Sequence, residues 1–170
     1  MADVVVNLRP LNKLIRAVAQ ASGPMRKVFI QWGARYRGFV QERFVKFSRG
    51  GGDWKPLTKS TLRRRRKGKG RGVDAAILRD TNTLFAALDT EFTRAPGQLQ
   101  ENIPQGIRVG YGGPSRYPGG TATIADIASF HQEGKGRLPV RKMIVDPSQQ
   151  VLNAMAKDAE RALEKFYNEQ

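Results

Sequence analysis

Few residues of this chain have the type and spacing to do chemistry, and most of those that do are cations. Between Trp54 and Val73 every charged side chain is positive: Lys55, Lys59, Arg63, Arg64, Arg65, Arg66, Lys67, Lys69 and Arg71. The nearest acidic neighbours in sequence are Asp53 and Asp74. Such a run repels itself and packs only against an anion, so its chemistry is electrostatic binding. The partner is either a nucleic-acid backbone or an acidic protein surface, and the remaining reading is a solvated loop whose charge has no specific role. No aromatic residue lies inside the run, which argues against base stacking of the single-strand-binding kind. Gly68, Gly70 and Gly72 interrupt it, so a continuous helix is not expected, and Arg63–Arg66 lie on no apolar stripe. The run reads as a tethered loop, mobile alone and fixed against its partner.

The candidates for covalent or metal chemistry are sparse. His131 is the one histidine and there is no cysteine, so a two-histidine site, a thiolate nucleophile, a Cys-based zinc site and a disulfide are excluded. A triad of His131 with Asp126 and Ser129 or Ser115 would require a serine in a nucleophile elbow, and neither stands in G-x-S-x-G. His131 reads instead as a hydrogen-bonded residue at a helix end. The glycines at 110–113 and 119–120 lack the lysine and hydroxyl of a phosphate-binding loop, and no carboxylate spacing suggests a metal nuclease. No catalytic residue, cofactor or metal is expected.

The elements that must position the basic run can be read on either side of it. Val4–Val6 starts a short strand, and Leu11, Leu14, Ile15 and Val18 recur at helical spacing after Pro10. Phe29, Trp32, Tyr36, Val40, Phe44 and Phe47 then follow at intervals of three or four, a stripe that faces a core or a partner helix. Arg26, Lys27, Arg35, Arg37, Arg43 and Lys46 fall on other faces, and the glycines at 50–52 end the helix. Trp54, Pro56 and Leu57 offer an apolar anchor before the run. Behind it, Asp80 or Thr81 is expected to cap a helix carrying Leu84, Phe85 and Leu88.

Further along, residues 94–105 are polar and proline-broken and read as a loop, while Ile107–Tyr111 alternates as a strand does. Ile124–Phe130 suggests a short helix and Arg141–Val145 a second strand. Asp146, Pro147 and Gln149 predict a capped C-terminal helix over 146–168, with Val151, Leu152, Met155, Ala159, Ala162, Leu163 and Phe166 on one face.

These elements predict one α+β domain over 1–170: long helices packed on a small, mostly antiparallel sheet, with a long basic loop over 54–76. The net charge is +15. Residues 1–72 hold nineteen Lys and Arg against three acidic residues, a balance of +16, and the remainder holds eleven against twelve, a balance of −1. A polyanion or an acidic protein ring is the natural partner of the first part. The first residues are too short and too uncharged for a signal peptide, and no apolar run reaches membrane length, so a reducing cytoplasm or a particle assembled there is expected, with no membrane partner.

Three blocks carry a likeness. One is the aromatic-striped helix before its glycine stop. Another is Trp54-Lys55-Pro56-Leu57 with Thr61, the basic stretch, then Ile77-Leu78-Arg79-Asp80-Thr81 and Leu84. The third is Ala128 with His131 and Gly134, followed by Pro139 and Arg141. Over roughly 25–168 the chain resembles the phage virion-morphogenesis or tail-completion family, Mu G-like proteins of the neck and head–tail connector. Asn82 stands where that family usually has glycine, and asparagine tolerates the left-handed turn. Lys142 stands where an apolar residue is common. The resemblance implies a non-enzymatic virion protein, assembled in the host cytoplasm as a homo-oligomeric ring that joins the portal side of the capsid to the tail. Its partners would be further copies of itself, neighbouring portal, adaptor or tail-terminator proteins, and packaged DNA in the channel. In this reading Trp54, Pro56, Asp80, Thr81, His131, Gly134, Pro139 and Arg141 are structural. The alternative is a monomeric accessory protein that binds double-stranded nucleic acid without sequence preference.

Overall fold

The long stripe forms the spine. A computed structural model describes residues 25–65, 76–103 and 106–168; the strand and helix expected before Met25, and Arg66, Lys67, Lys69 and Arg71, lie outside the described residues. Helix α1 runs Met25–Ser48, and all five stripe aromatics and Val40 are buried within this one chain. The stripe is therefore core, and it gives no argument for self-association. The helix stops where Gly50, at φ 85°, donates to the Phe47 carbonyl at 3.1 Å and Gly51 donates to Lys46 at 3.0 Å. Only glycine enters that left-handed turn without a Cβ penalty.

Lys59–Arg64 forms the one-and-a-half-turn helix α2, capped by Thr58, and Thr83–Ala86 forms the single turn α3. Strands β1 (Gln98–Ile103) and β2 (Gly106–Tyr111) pair antiparallel, from Gln98 opposite Tyr111 to Ile103 opposite Gly106. Helix α4 spans Ile124–Glu133 and helix α5 spans Gln149–Asn168. The result is an α+β fold in which α1 lies between the hairpin and α5. The close approach to the hairpin depends on Gly33: a Cβ there would sit 2.9 Å from Ile107 Cδ1 and 3.0 Å from Gln100 Oε1.

Against α5, Trp32 Nε1 donates to the Met155 carbonyl at 2.9 Å, and Arg35 forks onto Asp158 at 2.5 and 2.9 Å. Tyr36 donates to the Val145 carbonyl at 2.7 Å, and burial raises its pKa. Arg37 departs from the expected outer face. It is buried, donating to Gln100 Oε1 and, at 2.9 Å, to the Thr90 carbonyl, and burial lowers its pKa.

Four other expectations are corrected. Residues 98–103 are strand, not loop, because the amides of β2 supply a partner that overrides weak local propensity. Arg141–Val145 is not a strand: Arg141, Met143 and Ile144 are all buried, which breaks the alternation, and a glutamine side chain takes the place of a neighbouring strand. Helix α5 begins at Gln149, later than Asp146, because Ser148 Oγ rather than the aspartate accepts the Val151 amide, at 3.4 Å. Asp80 does not cap α3, whose first turn is entered from Asn82 at φ 59° with no bond from the Asn82 side chain, while Thr81 Oγ1 accepts the Thr83 amide at 3.4 Å. The left-handed turn expected at Asn82 is present, and Arg79 Nε steadies it with a 3.1 Å bond to Asn82 Oδ1.

Candidate functional site

The basic segment is tied to the C-terminal half of the chain by a reciprocal clamp. Trp54 is buried with its ring edge-on to Phe44 and Phe47, at centroid distances of 5.1 and 5.6 Å, which fixes where the chain leaves α1. Its Nε1 donates to the Lys142 carbonyl at 3.3 Å. In return Arg141 donates to the Lys55 carbonyl from Nη2 at 3.0 Å and from Nε at 3.3 Å. The Arg141 amide donates to the His131 carbonyl at 2.7 Å, which carries the clamp onto the last turn of α4. Residues 86 positions apart in sequence thus sit back to back.

Helix α4 is built to hold its side of this clamp. Thr123 and Asp126 form a reciprocal capping box at its start, and the Thr123 bonds hold the Asp126 carboxyl below its usual pKa. At its end Gly134 turns left-handed at φ 74°, and a Cβ there would meet Val140 Cγ2 at 2.6 Å. The chain then doubles back past Pro139, which is half-buried, to Arg141. Gln132 fixes the returning segment: its Oε1 accepts from Met143 at 2.9 Å and Ile144 at 3.1 Å, while its Nε2 donates to the Ile144 carbonyl at 2.6 Å. One amide side chain therefore substitutes for a strand edge. Lys142 is exposed, and Met143 and Ile144 fill the interior beside it.

The cations of the run divide into two kinds. Lys55, Lys59, Arg63 and Arg64 are exposed. Arg65 is part of the fold: its side chain is 8% exposed, its Nε lies 3.3 Å from Asp80 Oδ1, and its Nη1 donates to the Ala76 carbonyl at 2.7 Å. Removing Arg65 would therefore disturb the fold, although in sequence it lies on no apolar stripe. The same contact explains why Asp80 is not a cap. Thr81 instead donates to Tyr117 Oη at 2.8 Å. Pro56 is exposed, so the anchor before the run is Trp54, with Leu57 half-buried beside it.

His131 and its neighbours form no triad. Asp126 is engaged by Thr123, and Ser129 Oγ donates to Glu133 Oε1 at 3.1 Å. The His131 side chain does not form the bond expected of it, because Nδ1 finds no partner among the described residues; only its main-chain carbonyl is used. Burial, with a smaller contribution from the Arg141 charge, lowers its pKa from 6.5 to about 4, so the imidazole is neutral near pH 7. Burial likewise lowers the pKa of Arg141, and the Arg65 charge adds to this.

Two glutamines escaped the sequence reading. Gln132 is one, and Gln98 is the other: its Oε1 accepts from Thr93 at 3.0 Å and Ala95 at 3.2 Å, and its Nε2 donates to Glu91 at 2.7 Å and Asp89 at 3.3 Å. Nothing in their local sequence marks them, since a surface glutamine and a buried one have the same neighbours in sequence. Among the described residues no group of three or more His, Cys, Asp or Glu could hold a metal ion, and no helix is long and apolar enough to cross a membrane. No family model matches the chain, and neither a curated protein nor a solved structure does.

Proposed function

We propose that the chain is a structural component of a tailed-phage neck, a tail-completion or head–tail connector protein that forms a homo-oligomeric ring between the portal side of the capsid and the tail. The observation that carries this reading is the clamp. The second and third sequence blocks of the family likeness meet through Trp54 and Lys142, and through Arg141 and Lys55, against the aromatic helix that is the first block. The block residues thus act together as a frame, as a protein selected for shape requires. Trp54 and Arg141 bond to backbone carbonyls, and Gly134 serves a turn. A frame of this kind presents its exposed parts to neighbours: Ile30 on α1, Leu138 and Val140 beyond α4, and the cations of α2. In this role the chain works in the virion without a cofactor, beside portal, adaptor or tail-terminator proteins, with packaged DNA in the channel.

The test is sedimentation of the purified chain at physiological salt, alone and with its neighbour proteins. A species several times the 18.9 kDa monomer is expected, together with multiple copies per particle. A monomer under every condition would overturn the ring and leave the accessory nucleic-acid-binding protein as the reading.

A further inference from the structure

We infer that exposed cations from two distant segments, Lys55, Lys59, Arg63 and Arg64 on one side and Arg137 and Lys142 on the other, form one composite face that binds the phosphate backbone of duplex nucleic acid. The sequence places basic character almost wholly before residue 72, so Arg137 and Lys142 belong to a part of the chain with no excess of charge. The clamp changes that. The bond from Trp54 to the Lys142 carbonyl and the bonds from Arg141 to the Lys55 carbonyl hold residues 54–55 and 141–142 in direct contact, which adds the second group of cations to the first.

The division of labour among the arginines supports a binding face. Arg65 and Arg141 are turned into the frame and bond to backbone carbonyls, whereas the six cations of the face are exposed and none has an acidic partner among the described residues. Of the nearby carboxylates, Asp80 faces Arg65 and Glu133 accepts from Ser129, leaving Asp53 as the exposed acid beside Trp54. Exposed cations gathered on two segments that the clamp joins are stabilised most by a partner whose own charges are dense and regular, as on a duplex. Trp54 is buried edge-on in the core and offers no surface for base stacking. Backbone contact without sequence reading follows. This inference goes beyond ring formation and does not depend on it.

The experiment is a salt titration of binding to a labelled duplex of mixed sequence, read by fluorescence anisotropy, with polyglutamate as competitor. Arg137→Gln with Lys142→Gln should lower the slope of log affinity against log salt by about 1.8, two contacts at about 0.9 each. Arg63→Gln with Arg64→Gln should lower it by a similar amount. Should the first double variant lose cooperative unfolding, Lys142→Gln alone, with an expected drop of about 0.9, carries the same test. A wild-type slope in the Arg137 and Lys142 variant would overturn the composite face and confine binding to the basic run. Displacement of the duplex by polyglutamate at equal charge concentration would overturn the nucleic-acid reading in favour of an acidic protein docked beside Leu138 and Val140. Sedimentation of the same variants reports the ring independently of either result.

Discussion

The contact between α1 and α5 and the contact between the Trp54 segment and residues 131–144 solve the same problem by different means. In the first, two regular helices satisfy their own backbones, so side chains are free to interdigitate, and polar links such as Arg35 with Asp158 are balanced pairs near the rim. In the second, residues 54–55 and 141–144 have no regular structure, and side chains do the hydrogen bonding that a ladder would do: Trp54, Arg141 and, from the end of α4, Gln132 each bond to main-chain groups. An irregular segment stays buried only if its peptide groups find partners. The second contact also leaves its charges unbalanced on the outer side, where α2 and Lys142 are exposed. One contact is thus built for stability alone; the other holds a charged surface in place.

The largest expected effect tests the first contact. Trp32→Ala removes a fully buried indole and its bond to the Met155 carbonyl, and should cost about 3–5 kcal/mol in chemical denaturation. A loss below about 1 kcal/mol would mean that α5 does not depend on this packing.

The clamp should show itself next, through pH. The folded-state pKa of His131 is lowered to about 4 from 6.5, so between those values the unfolded chain binds a proton that the folded chain does not. Its contribution is therefore intact above pH 6.5 and is lost as pH falls to about 4, by about 2 kcal/mol once solvent contact is allowed for. His131→Gln should fold at pH 7 and lose less stability than the parent between pH 7 and pH 5. Equal losses in the two proteins would remove the buried neutral imidazole from the account.

The smallest effects separate neighbouring arginines. Arg65→Ala should cost about 1–2 kcal/mol through the lost bond to Ala76 and the contact with Asp80. Arg63→Gln with Arg64→Gln should stay within about 0.5 kcal/mol, because both are exposed on α2. Unfolding midpoints measured side by side decide this, and equal costs would erase the distinction between frame and face.

The sequence by itself determined the periodic parts of this protein. The aromatic stripe of α1, the strand at β2, the glycine stop after Ser48 and the left-handed turn at Asn82 are local, since each depends on residue spacing or on which residues tolerate positive φ. Density of positive charge was equally legible, and so was the tryptophan anchor. Only the tertiary structure decided which cations are free. Arg63, Arg64 and Arg65 are identical neighbours in a string, yet Asp80 and the Ala76 carbonyl select Arg65 alone, and Arg37 enters the core because Gln100 and Thr90 meet it there. The same is true of β1, whose polar residues become a strand only once β2 lies beside them, and of Gln132, whose amide has a backbone to bond only after the chain returns at Met143. The reason is physical: burial of a polar group is stable only with its partner in place, and here the partners come from distant parts of the chain.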